Sequence, residues 1–88
     1  MDLEKIVSSK TNVKILKFFD ENPHCIDTAA GIATWTGLSV EKIKKALIKL
    51  ARQKVIIEHK TSSAQGYAYT HDDKIIARIK KRLNKKRT

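Results

Sequence analysis

The side chains with the most chemistry to offer are cations, and they are grouped. Lys42, Lys44, Lys45, Lys49 and Arg52 share one short segment with Ser39 and Glu41. Lys60, Ser62, Ser63 and Gln65 form a second group further on. Ammonium and guanidinium groups make charge-assisted hydrogen bonds to phosphate. Hydroxyl and amide groups add neutral donors and acceptors, and a glutamate can accept from a cytosine amino group. Such a set suits recognition of a polyanion. Nothing in it is arranged for making or breaking bonds. There is no Gly-rich phosphate loop, no paired-carboxylate arrangement and no nucleophile elbow, so an enzyme is not expected. His24, Cys25 and Asp27 are close in sequence, and His59 and His71 lie elsewhere. A metal sensor is one reading of them; a buried structural thiol at Cys25 is the plainer one. One cysteine forms neither an internal disulfide nor a paired-cysteine zinc pattern. No cofactor and no metal are expected.

The overall charge agrees with this grouping. The 88 residues carry 19 Lys and Arg against 9 Asp and Glu, a net charge of +10. Positions 1–38 hold four basic and five acidic residues, whereas positions 39–88 hold fifteen and four. An excess confined to one part of a small chain points to a polyanionic partner; a solvated surface with a basic tail is the bland alternative. The length suits a single domain over 1–88, with a core over about 11–79 and a basic C-terminal tail over about 80–88. No apolar run approaches the roughly 20 residues of a membrane span, and the start lacks the pattern of a secretory signal. A reducing, cytoplasmic setting on the nucleoid is the expected location, with no membrane partner.

The elements that must position these side chains follow from periodicity. Val13, Ile15, Leu16, Phe18 and Phe19 predict a helix over about 12–21, capped by Thr11 or Asn12 and ended by Asn22-Pro23. Leu3, Ile6 and Val7 could begin an earlier helix. His24-Cys25-Ile26 is short enough to be only a strand. Asp27 or Thr28 caps a helix reaching about Thr36, with Ala29, Ile32 and Ala33 on its packing face. Gly37 permits a sharp turn. Ser39 then caps a helix over about 40–53, in which Val40, Ile43, Ala46, Leu47 and Leu50 recur at helical spacing and the lysines take the other side. Val55–Lys60 is β-branched and reads as a strand, 61–66 as a polar loop, and 67–71 as a half-buried return strand with strict alternation. Asp72 or Asp73 starts a last helix with Ile75, Ile76, Ile79 and Leu83 as its apolar stripe.

In this order the residues resemble a winged helix-turn-helix domain of bacterial and archaeal transcriptional regulators. The likeness covers about 11–79. Its centre is Gly31-Ile32-Ala33-Thr34-Trp35-Thr36-Gly37-Leu38-Ser39, followed by Ile43, Leu47 and Leu50. That is similar to the family pattern I-A-x-x-T-G-L-S, then V-x-x-x-L-x-x-L, and its general cast is similar to the multiple-antibiotic-resistance and arsenic-resistance regulators. The resemblance implies an α+β, mainly α fold: a three-helix winged helix-turn-helix with a β-hairpin wing and a C-terminal helix. One departure is Lys54, where the family often has glycine after the recognition helix.

The function so implied is double-stranded DNA binding by a transcriptional regulator. A helix over 40–53 is roughly 21 Å long and fits a major groove about 12 Å wide. Ser39, Glu41, Lys42 and Lys45 are expected near base edges or their flanking phosphates; Ser39 as a pure cap and Glu41 as a first-turn acid remain the alternatives. Lys44, Lys49 and Arg52 are expected on phosphates. Lys60, Ser62, Ser63 and Gln65, over about 60–66, are expected on the adjacent backbone or minor groove; an ordinary mobile loop is the alternative. The C-terminal cations either track phosphates or solubilise the chain. With about five to eight phosphates engaged, log affinity falls with log salt by about 0.9 per phosphate. Trp35 and Ile48 are apolar residues expected outside the packing faces. Covered by terminal segments, they would be core; uncovered, they would mark a partner surface. Ile75, Ile76, Ile79 and Leu83 either form a homodimer interface through terminal helices or pack on the chain's own core. The rival function is a winged-helix module that binds protein or RNA without specific duplex binding.

Overall fold

The computed structural model of the chain describes residues 3–85, without the side chain of Lys85. Five helices surround one core and a three-stranded sheet closes its side. They are α1 (Leu3–Ser8), α2 (Lys10–Glu21), β1 (Ile26–Asp27), α3 (Ala29–Thr36), α4 (Val40–Arg52), β2 (Ile56–Lys60), β3 (Gln65–Tyr69) and α5 (Asp73–Lys85). Sequence reasoning placed α2 two residues late. Ser9, not Thr11 or Asn12, is its cap, with the Ser9 hydroxyl oxygen accepting from the Asn12 N–H at 3.3 Å. Asn12 instead turns its amide to donate to the Ile6 carbonyl at 3.1 Å and so joins α2 to the end of α1. The short α1 is real because Leu3, Ile6 and Val7 are all buried; packing stabilises a helix too short to persist alone.

The core is built from the predicted stripes except Val40, which stands exposed at the first turn of α4. Ile15, Leu16 and Phe19 of α2, Ile32 and Ala33 of α3, and Ile43, Leu47 and Leu50 of α4 are buried together, with Leu38 packed against them at the α3–α4 corner. Gly37 makes that corner with φ of 75°, a conformation that costs an L side chain about 1–2 kcal/mol, and its N–H donates to the Ala33 carbonyl at 2.9 Å. Thr28, not Asp27, caps α3.

The sheet departs from expectation in two ways. First, its order is β1-β3-β2, so the two-residue β1, at Ile26–Asp27 instead of 24–26, flanks β3 on the side away from β2. Second, β3 begins two residues earlier than predicted, with Lys60 opposite Gln65, and His71 lies beyond it. The alternation Tyr67-Ala68-Tyr69 does not give a half-buried strand. All three residues are buried because β3 is the central strand, with Ala68 standing between Ile26 and Ile57. Tyr69 stacks on Phe19, ring centroids 5.9 Å apart, which fixes the sheet to α2.

The basic residues from Lys80 to Lys85 belong to α5, and Lys86 and Arg87 lie outside the described residues. Ile79 and Leu83 are buried in the chain's own core, where α5 packs on α1 and α2, so neither is free to form a dimer interface. Ile75 and Ile76 are half-buried against the same core. Asp72 caps the helix, its Oδ1 accepting from the Lys74 N–H at 2.9 Å.

Candidate nucleic-acid interface

The outer face of α4 exists because four apolar residues claim the inner one. Ile43, Ala46, Leu47 and Leu50 are buried, which forces Glu41, Lys42, Lys44, Lys45, Ile48, Lys49 and Arg52 outward, and all seven are exposed. Its two ends are fastened. At the start, the Ser39 hydroxyl oxygen accepts from the Lys42 N–H at 3.3 Å, so Ser39 is a cap, and Glu41 lies in the positive first turn. At the end, the Val55 N–H donates to the Leu50 carbonyl at 3.1 Å and the Lys54 N–H to the Ala51 carbonyl at 3.0 Å. These are the two bonds of a Schellman motif. Lys54 sits at its left-handed position with φ of 62°, where glycine would be unstrained. The departure at Lys54 therefore leaves the helix exit unchanged and costs local strain.

The cations on this face divide into flanks. Lys42, Lys45 and Lys49 line a groove of about 370 Å³ against the start of α2, shared with Ser9, Thr11 and Asn12. Lys44 lies on the other flank, in a groove of about 390 Å³ with Val40, Ile48, Gln65 and Tyr67. Sequence reasoning did not include Ser9, Thr11 and Asn12 in the site. They are some thirty positions away from the lysines in the chain, and only the fold brings them alongside.

Electrostatics separates α4 from α5. The Arg82 guanidinium contacts Glu4 Oε1 of α1 at 3.2 Å, and Lys80 Nζ stands 3.7 Å from Asp20 Oδ1 of α2. Two of the C-terminal cations thus hold helices together. No cation of α4 forms an ion pair among the described residues.

The wing is short. Thr61 and Ala64 close it: the Thr61 N–H donates to the Ala64 carbonyl at 2.8 Å, and the Ala64 N–H donates to Thr61 Oγ1 at 3.0 Å. Only Ser62 and Ser63 are left at the tip, exposed; Lys60 and Gln65 are a paired rung just below. The loop is therefore built as a tight hydrogen-bonded turn.

This arrangement of α3, tight corner, α4 and short hairpin matches solved structures. AntR, an antimony-specific transcriptional repressor, superposes with a TM-score of 0.77 over 92% of this chain and 70% of its own, at 15% identity. The chain has a winged helix-turn-helix fold. An alanine variant of ZitR from Lactococcus lactis superposes on the winged helix with a TM-score of 0.67 at 25% identity, covering 86% of this chain and 51% of its own. A protein of the thermoacidophilic archaeon Sulfolobus tokodaii aligns over the full length of both chains, at 19% identity and a TM-score of 0.66. The chain spans about half the length of ZitR. No protein-family model and no curated protein sequence matches it.

Among the described residues no three His, Cys, Asp or Glu side chains stand together as a metal group. No described helix is long and apolar enough to cross a membrane. Trp35 is 47% exposed and Ile48 46%, so the described parts of the terminal helices cover neither. Trp35 rests edge-on against Phe18, ring centroids 5.3 Å apart.

Proposed function

We propose that this winged helix binds double-stranded DNA and regulates transcription, with α4 in the major groove and the β2–β3 wing on the adjacent backbone or minor groove. The observation that supports the reading is the exposed cation face of α4, which forms no ion pair among the described residues, in a chain that pairs Lys80 and Arg82 internally. At roughly 1.5 Å per residue, α4 is about 20 Å long, and its width suits the major groove. Lys42, Lys45 and Lys49 lie along one strand's phosphates, beside the Thr11 hydroxyl. Lys44 and Arg52 complete the backbone contacts, and Glu41 lies nearest the base edges at the first turn. Lys60, Ser62, Ser63 and Gln65 form the second contact through the wing.

The test is equilibrium binding of the chain to random-sequence duplex DNA, single-stranded RNA and a neutral polymer, with Lys45→Glu and Lys49→Glu combined as the perturbed protein. Duplex binding that is lost in the double variant supports the proposal. Duplex binding that survives it removes α4 from the interface. Exposed Trp35 favours a second reading, a protein-interaction module; that reading is selected if the duplex is not bound.

A further inference from the structure

The basic face of α4 has an apolar residue at its centre. Ile48 is 46% exposed although it follows Lys44 and Lys45 by one helical turn and precedes Arg52 by one turn. Val40, 39% exposed, lies two turns earlier on the same side, with Lys44 between. Both border the groove shared with Gln65 and Tyr67. A solvated lysine face gains nothing from a β-branched apolar side chain, and isoleucine is a poorer helix former than lysine. A protein partner that buried Ile48 would also desolvate the ring of Lys44, Lys45 and Arg52, and lysine is depleted in the cores of protein interfaces. A DNA major groove satisfies both halves at once: phosphates take the cations, and the 5-methyl group of thymine projects into the groove as an apolar contact.

We infer that Ile48 is a specificity-determining residue that packs on a thymine methyl group, giving the recognition helix a preference for T·A pairs at the position it faces. The inference rests on the DNA-binding reading above. Charge complementarity commits the surface to duplex DNA, and the isolated apolar side chain within that charge selects the methyl-bearing base.

The experiment separates this inference from its foundation. A preferred duplex is first selected from a random pool. Each thymine is then replaced singly by deoxyuridine, which removes only the methyl group, or by 5-bromodeoxyuridine, whose bromine fills the same volume. Binding is measured by fluorescence anisotropy for the wild-type chain and for Ile48→Ala; Ile48 lies outside the core, so both proteins fold. At one or two positions deoxyuridine weakens the wild type about threefold to fivefold, as expected from burial of one methyl-sized group, and bromodeoxyuridine restores affinity. Ile48→Ala binds the two duplexes within about 1.5-fold of each other while keeping the wild-type salt dependence. A selected site without a preferred thymine, a uniform indifference to deoxyuridine, or an equal deoxyuridine effect in Ile48→Ala overturns the inference and leaves DNA binding standing. Failure to bind any duplex overturns both.

Discussion

Replacing Lys42, Lys45 and Lys49 together by glutamine tests whether the α4 row engages phosphate. All three side chains are exposed, so folding stability should move by no more than about 0.5 kcal/mol each. Each phosphate contact contributes about 0.9 to the slope of log affinity against log salt. Raising salt fourfold, from about 50 to 200 mM, therefore weakens binding by about 3.5-fold per contact. Three contacts amount to about 40-fold. The wild type should lose about 40-fold more affinity than the triple variant over that interval, and the slopes should differ by about 2.7. The assay is anisotropy of a labelled duplex at five or more salt concentrations, with circular dichroism to show equal folding. A second triple variant, Lys74, Arg78 and Lys81 of α5 to glutamine, carries the same change in net charge. If the two triple variants lower the slope equally, binding follows diffuse charge and the argument from the α4 row is refuted. An unchanged slope in the α4 variant refutes it as well.

Three further outcomes follow from the fold. Lys54→Gly removes left-handed strain at the end of α4 and keeps both Schellman bonds; after the entropy glycine adds to the unfolded chain, stability should rise by about 0.5–1 kcal/mol, seen as an increase in Tm of about 3–6 °C. Leu83→Ala should cost about 2–4 kcal/mol in chemical denaturation, because Leu83 is buried on the inner face of α5; a loss below about 0.5 kcal/mol would contradict that packing. Tyr69 carries a buried hydroxyl with no hydrogen-bond partner among the described residues, and burial first, then the negative charge of Asp20, raises its pKa. Its folded value lies above the unfolded value near 10, so its contribution is constant below that pH and stability falls as pH rises further, by up to about 1.4 kcal/mol per pH unit. Tyr69→Phe should therefore be neutral or stabilising by up to about 1 kcal/mol at pH 7 and should flatten the alkaline limb measured by urea unfolding; a loss above about 2 kcal/mol at pH 7 would show that the hydroxyl is well satisfied.

Local sequence determined most of the scaffold. The helical spacing of Ile43, Leu47 and Leu50 names the inner face of α4 and by subtraction its outer one, and Ser39, Gly37 and Asn22-Pro23 mark helix ends through bonds and torsions a few residues long. Such signals are legible because each acts within one or two turns. Tertiary structure decided what no local window contains. It brought β1 beside β3 and buried Ala68, gathered Ser9 and Thr11 next to Lys45, and hid Ile79 and Leu83 inside the chain. It also sorted the cations: Arg82 finds Glu4 and Lys80 approaches Asp20 from distant parts of the chain, while the lysines of α4 find no counter-charge among the described residues. The number of lysines is written in the sequence; which of them remain available to a polyanion depends on where the few carboxylates come to rest when the helices pack.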